Sequence, residues 1–81
     1  VITVKFFAVL RERLGLAETQ VDADVSTVQE LVQVLKQQSE RYAKELDRYQ
    51  LLCAVNQNLL PLTTEVKDGD EVALFPPVTG G

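Results

Sequence analysis

The chain has 81 residues, 46% of them hydrophobic, which bounds it to one small folded domain and excludes a disordered segment. Twelve acidic against 8 basic residues leave a net charge of −4, the wrong sign for a nucleic-acid binder, and no apolar run reaches the length of a membrane span. One cysteine and no histidine exclude a disulfide framework and a Cys/His zinc site, and a lone thiol fits a reducing, cytoplasmic setting.

Val1 to Val9 reads as a first strand, rich in β-branched and aromatic residues. Alternation puts Ile2, Val4, Phe6 and Ala8 on the core face, and Thr3, Lys5 and Phe7 on the other face with Val1 and Val9. Arg11 to Leu14 reads as a helical turn ended by Gly15 at the C′ position. Glu18 to Ala23 follows as the return strand of a hairpin-like pair. Thr27 with Glu30, and Ser26 with Gln29, have capping-box spacing. Val28, Leu31, Val32 and Leu35 then repeat at i, i+3, i+4, i+7, which predicts the main helix from about Thr27 to Gln38. Glu40 to Leu46 is a weaker helical piece, with a favourable Glu40/Lys44 pair and Tyr42, Leu46 and Tyr49 as anchors.

Leu51 to Asn56 reads as a third strand, Asn56-Gln57-Asn58 as a turn, and Leu59-Leu60 as a very short edge strand stopped by Pro61. Lys67-Asp68-Gly69-Asp70 is a turn, and Glu71 to Phe75 is the last strand. The order β-β-α-β-β-β, with one main helix on one face of a mixed sheet, is an α+β layout. It suits the β-grasp roll of ubiquitin-like domains, although periodicity alone does not choose that roll over other small α+β folds. In a β-grasp the first and last strands are parallel neighbours. Val72 and Leu74 then point inward, and Phe75 faces outward like Phe7. Two exposed phenylalanines, with Leu59 as a third member, would form a partner surface. The alternative is that the short helix after the first strand shields both rings.

Phe75-Pro76-Pro77-Val78-Thr79-Gly80-Gly81 closes the chain. Two prolines stop the strand and hold an extended backbone, so residues 76–81 read as a stiff tail. Gly80 and Gly81 carry no side chains, so the end can enter a narrow channel and offer its α-carboxylate. Other chemistry has little support. No histidine can act as a base. Cys53 lies among apolar strand residues and reads as a buried small hydrophobe. Asp68, Asp70 and Glu71 lack metal-loop spacing, and no phosphate-binding glycine loop is present, so no metal is assigned.

Phe6-Phe7-Ala8, Arg11-Glu12, Ala54-Val55-Asn56-Gln57 and above all the block from Asp68 to Gly81 resemble the small subunits of molybdopterin synthase, the MoaD family of ubiquitin-like sulfur carriers. The resemblance runs the whole length, as one domain over residues 1–81, although Gln37 to Gln50 adds no motif to it. It implies a β-grasp fold, no permanently bound cofactor, and a sulfur carried on Gly81 as a C-terminal thiocarboxylate. An E1-like enzyme, MoeB, would use ATP to adenylate that glycine. The tail would insert into the large subunit, MoaE, in a heterotetramer of two small and two large subunits. Sulfur would pass there to cyclic pyranopterin monophosphate, and two transfers would make the molybdopterin dithiolene. Phe7, Leu59 and Phe75, with Pro76, Pro77, Val78 and Thr79, would contact the large subunit, and Gly80 and Gly81 would be the reacting end. A carrier for a thiamine or tungsten-type pathway, or a protein modifier joined to lysines through Gly81, shares the Gly-Gly end.

Overall fold

The computed structural model describes residues 1–22 and 24–77. In chain order the elements are β1 (Ile2–Phe6), α1 (Ala8–Leu14), β2 (Glu18–Val21), α2 (Val28–Gln38), α3 (Glu40–Arg48), β3 (Leu52–Val55), β4 (Asn58–Leu60) and β5 (Glu71–Phe75). The strands form one mixed sheet in the order β2-β1-β5-β3-β4. β1 and β5, first and last in the chain, are parallel neighbours, with Val4 opposite Val72 and Phe6 opposite Leu74. The other pairings are antiparallel. This is the β-grasp arrangement.

Period-2 alternation builds the core from the sheet side. Ile2, Val4, Phe6, Val72, Leu74, Cys53 and Val55 are buried, while Thr3, Lys5, Glu71, Ala73 and Phe75 between them are half-buried. The stripe Val28, Leu31, Val32 and Leu35 closes the core from α2. Each fully buried Leu, Val or Phe contributes about 1.5–3 kcal/mol over its exposed state. Tyr42, partly buried on α3, stands 6.0 Å from Phe6 between ring centroids.

The helix ends follow local chemistry. Thr27 Oγ1 accepts a hydrogen bond from the Glu30 N–H (3.2 Å), as the capping spacing predicts. The Glu30 carboxylate reaches one residue further back than a capping box, to the Ser26 N–H at 2.7 Å. The N–H groups of Val28 and Gln29 donate to the carbonyls of Thr64 and Leu62 (3.1 and 2.9 Å), so tertiary contacts complete the cap. Ser39 ends α2 and caps α3, accepting from the Tyr42 N–H at 3.1 Å. Gly15 terminates α1 with a left-handed φ of 75° and donates to the Arg11 carbonyl at 3.0 Å.

Several expectations are corrected. β1 ends at Phe6, and Ala8, expected on the core face, is exposed at the start of α1. Its φ of 57° turns the chain out of the strand and breaks the alternation. Val9 is accordingly a half-buried helix residue, and α1 has two turns instead of one. β2 ends at Val21, and Ala23 lies outside the described residues. Leu51 is buried just before β3, not within it, and α3 continues to Arg48. The ion pairs of α3 among the described residues are Lys36–Asp47 (2.5 Å), Arg48–Glu45 (3.2 Å) and Arg13–Glu45 (4.0 Å). Lys36–Asp47 and Arg13–Glu45 tie α3 to α2 and α1, Arg48–Glu45 lies within α3, and Glu40/Lys44 is not one of them.

Candidate functional site

The sheet face away from the helices carries an apolar surface where the tail leaves. Phe7 is 45% exposed and Leu59 is 75% exposed, so the short helix does not shield Phe7. Phe75 is half-buried, the last residue of β5. The Phe7 N–H donates to the Leu74 carbonyl at 3.2 Å, which fixes the end of β1 beside the end of β5. Phe7, Phe75 and Pro76 line one open groove of about 470 Å³. Ala54 and Ala73, neighbours in the β3–β5 register, lie in it too, so small residues separate the rings from the polar end. That end holds Gln57 and the Lys5–Glu71 ion pair, 3.4 Å apart.

Leu59 stands apart from the groove lining, on the edge strand β4 opposite Ala54. Leu52 joins the same face. It is 43% exposed and directly opposite Phe75 in the register. Sequence reasoning missed Leu52, although a signal was available. If Cys53 and Val55 face inward, Leu52 and Ala54 face outward. Phe7, Leu52, Leu59 and Phe75 therefore give an apolar face on three strands and the start of α1. Such a face is suited to excluding water against a partner.

The turns beside this face are held by one polar cluster. The Asn56 side chain donates to Asp70 Oδ1 (3.1 Å) and accepts from the Glu71 N–H (3.0 Å). Asp70 Oδ2 accepts from the Lys67 N–H at 2.9 Å. The Asn56 hydrogen bond, then that from Lys67 and the Lys67 charge, hold the Asp70 carboxyl below its ordinary value against an opposing effect of burial. Asp70 is thus a structural carboxylate.

Cys53 is 2% exposed, and its thiol donates to the Leu60 carbonyl at 3.1 Å. Burial pushes its pKa up, away from the thiolate a nucleophile needs. No group of His, Cys, Asp and Glu able to hold a metal occurs among the described residues, and none of their helices is long and apolar enough to cross a membrane. Pro76 is half-buried and Pro77 exposed, both beyond the last strand. The candidate residues Val78, Thr79, Gly80 and Gly81 lie outside the described residues.

A model of the ThiS family matches residues 4–81, through the terminal glycine. The chain is 51% identical over 80 residues to the molybdopterin synthase sulfur carrier subunit of Escherichia coli strain K12, covering 99% of both chains. It is 44% identical to the protein of the same name in Haemophilus influenzae, again over 99% of each. Among solved structures, the small archaeal modifier protein SAMP1 of Haloferax volcanii superposes with a TM-score of 0.79 at 31% identity, over 99% of this chain and 98% of that one. Subunit 1 in the complex of subunits 1 and 2 of molybdopterin-converting factor from Helicobacter pylori is also similar. Its TM-score is 0.66 at 32% identity, over 99% of this chain and 97% of that chain.

Proposed function

The chain belongs to the ThiS family, among the molybdopterin synthase sulfur carrier subunits, and on that premise we propose that it carries sulfur on its C-terminal glycine for molybdopterin synthesis. The observation that carries this reading is a family match running through Gly80 and Gly81, on a chain whose single thiol is buried. A carboxylate is a poor acyl donor. An E1-like enzyme of the MoeB type joins the Gly81 carboxylate to the AMP moiety of ATP, releasing pyrophosphate. A sulfur donor then displaces AMP and leaves a thiocarboxylate. That group is ionised at neutral pH, and its sulfur is the nucleophile that attacks a carbon of cyclic pyranopterin monophosphate as an oxygen substituent leaves. Water then hydrolyses the resulting Gly81 thioester, which leaves the sulfur on the pterin and restores the carboxylate. Two such transfers supply the dithiolene.

The chain's own contribution is positioning. Phe7, Leu52, Leu59 and Phe75 dock the body on the large subunit, MoaE, and the prolines aim the tail into its active site. The catalytic side chains of this sulfurtransferase then belong to the large subunit, in a cytoplasmic heterotetramer of two small and two large subunits. The apolar face at the tail exit, and the two-subunit complex of the Helicobacter pylori relative, support this assignment. The test is intact mass after incubation with ATP, activating enzyme and a sulfur donor. Exchange of one oxygen for sulfur at Gly81 is expected, and modification elsewhere overturns the reading.

A second reading, a protein modifier joined to lysines through Gly81, draws on the likeness to SAMP1. The higher identity to the sulfur carrier subunits, 51% against 31%, favours the first. High-mass conjugates in a lysate of the source organism would favour the second.

A further inference from the structure

Three non-glycine residues among those described have a left-handed backbone: Ala8 (φ 57°), Asn56 (φ 49°) and Gln57 (φ 72°). Asn56 is readily explained. Asparagine tolerates this region, and its side chain binds Asp70 and Glu71. Ala8 turns the chain from β1 into α1 directly after the exposed Phe7. Gln57 has no such internal account. It occupies the second central position of a two-residue hairpin turn between Val55 and Asn58, with positive φ at both centres. Glycine is the favoured residue there. The Gln57 side chain is exposed and makes no hydrogen bond among the described residues. It lines the groove that also holds Phe7, Phe75 and Pro76. A strained backbone with no internal return, beside a binding surface, points to a role outside the fold.

We propose that Gln57 is a partner-recognition residue whose carboxamide hydrogen-bonds a main-chain peptide group of the large subunit seated in this groove. The inference rests on the partner-surface reading above. A carboxamide offers both a donor and an acceptor, the complement of a peptide group. Lys5 and Glu71, the charged groups at the same end, pair with each other. Ala54 and Ala73 leave room beside them for a partner backbone to approach. The aromatic rings supply affinity without direction, and Gln57 supplies the directional contact that sets the register in which the tail enters the partner.

Two substitutions separate the side chain from the backbone. Gln57→Ala removes the carboxamide and keeps the strained Cβ. Gln57→Gly removes both. Calorimetric titration of each full-length variant with the large subunit of molybdopterin synthase from the same organism is the measurement, with Phe7→Ala beside them and thermal melting of each. Both Gln57 variants are expected to bind about ten-fold more weakly, the scale of one hydrogen bond at an interface. Gln57→Gly is expected to melt above the parent and Gln57→Ala is not. A fall in affinity in both variants, with a rise in melting temperature in Gln57→Gly alone, is a pattern that a purely structural turn residue does not produce. Parental affinity in Gln57→Ala, with Phe7→Ala weakened, overturns the role of Gln57 and leaves the docking surface standing. A loss in Gln57→Gly alone assigns the effect to turn rigidity and also overturns it. Parental affinity in all three variants removes the partner surface itself, and this inference with it.

Discussion

Phe7 and Phe75 meet the surface by different routes, and their substitutions should differ accordingly. Phe7 is 45% exposed and one residue past the end of β1, and its bond to the Leu74 carbonyl is made by the backbone, so Phe7→Ala is expected to leave the melting temperature nearly unchanged. Its cost should fall on large-subunit binding, by about 1–3 kcal/mol for an aromatic anchor. Phe75 is half-buried and opposite Leu52, so Phe75→Ala should lower both binding and stability. Leu52→Glu places a charge at the same spot and should weaken binding without unfolding, since the side chain is already 43% exposed. Titration and melting of the three variants check this. Unfolding in Phe7→Ala, with unaltered binding of the folded fraction, would return Phe7 to the core. Cys53→Ala should keep sulfur transfer and lose about 1–2 kcal/mol of stability, because a small buried group is removed. Single-turnover product formation with pre-thiolated protein measures it, and an inactive but folded and thiolated variant would move the sulfur to Cys53.

Among the elements, α2 and the two turns beside β5 carry distinct predictions. Thr27→Ala removes the side-chain cap of α2 and should cost about 1 kcal/mol by denaturant unfolding. The loss is held to that scale because the Val28 and Gln29 N–H groups keep their partners at Thr64 and Leu62. Asp70 joins the turn at Gly69 to the turn at Asn56, and its carboxyl is held below its ordinary value. A carboxylate with a depressed folded pKa stabilises the native state above its unfolded pKa. That contribution disappears as pH falls through the folded value. Asp70→Asn should therefore be less stable than the parent at neutral pH, and the gap should close in acid. Unfolding free energies across pH give the answer directly. A gap that is constant with pH would assign the effect to geometry, not charge.

At the scale of the molecule, one end of the sheet gathers the apolar face and the start of the tail, while the helices cover the opposite face. Body and terminus can therefore be separated by experiment. The ladder ends at Phe75, so deleting Gly81 should leave the melting curve of the body unchanged and abolish both adenylation and sulfur transfer. Gly80→Val should impair both steps by adding bulk next to the reacting carbonyl. Intact mass and single-turnover assays read these outcomes. Full transfer by the Gly81 deletion would refute the thiocarboxylate.

Much of this was legible from residue order, because the signals were local. The α2 stripe repeats within one helix, and the parity of Phe7 with Lys5 and of Phe75 with Ala73 is a period-2 property of single strands. The Gly-Gly end behind two prolines is readable with no fold at all. What the tertiary structure decided was non-local. Leu52 belongs to the apolar face because β3 pairs with β5 in the register that sets it opposite Phe75, a pairing no single strand encodes. Ala8 left the core face because a left-handed turn interrupted the alternation, and alanine carries no signal for that conformation. Asn56 and Asp70 are fourteen residues apart in sequence, and only the closed sheet brings their side chains into hydrogen-bonding range. Gln57 could be read from sequence as a turn residue. The sign of its φ and its place beside Phe7 and Phe75 arise only when hairpin and parallel pair are assembled, because register and chain reversal are settled by contacts between distant segments.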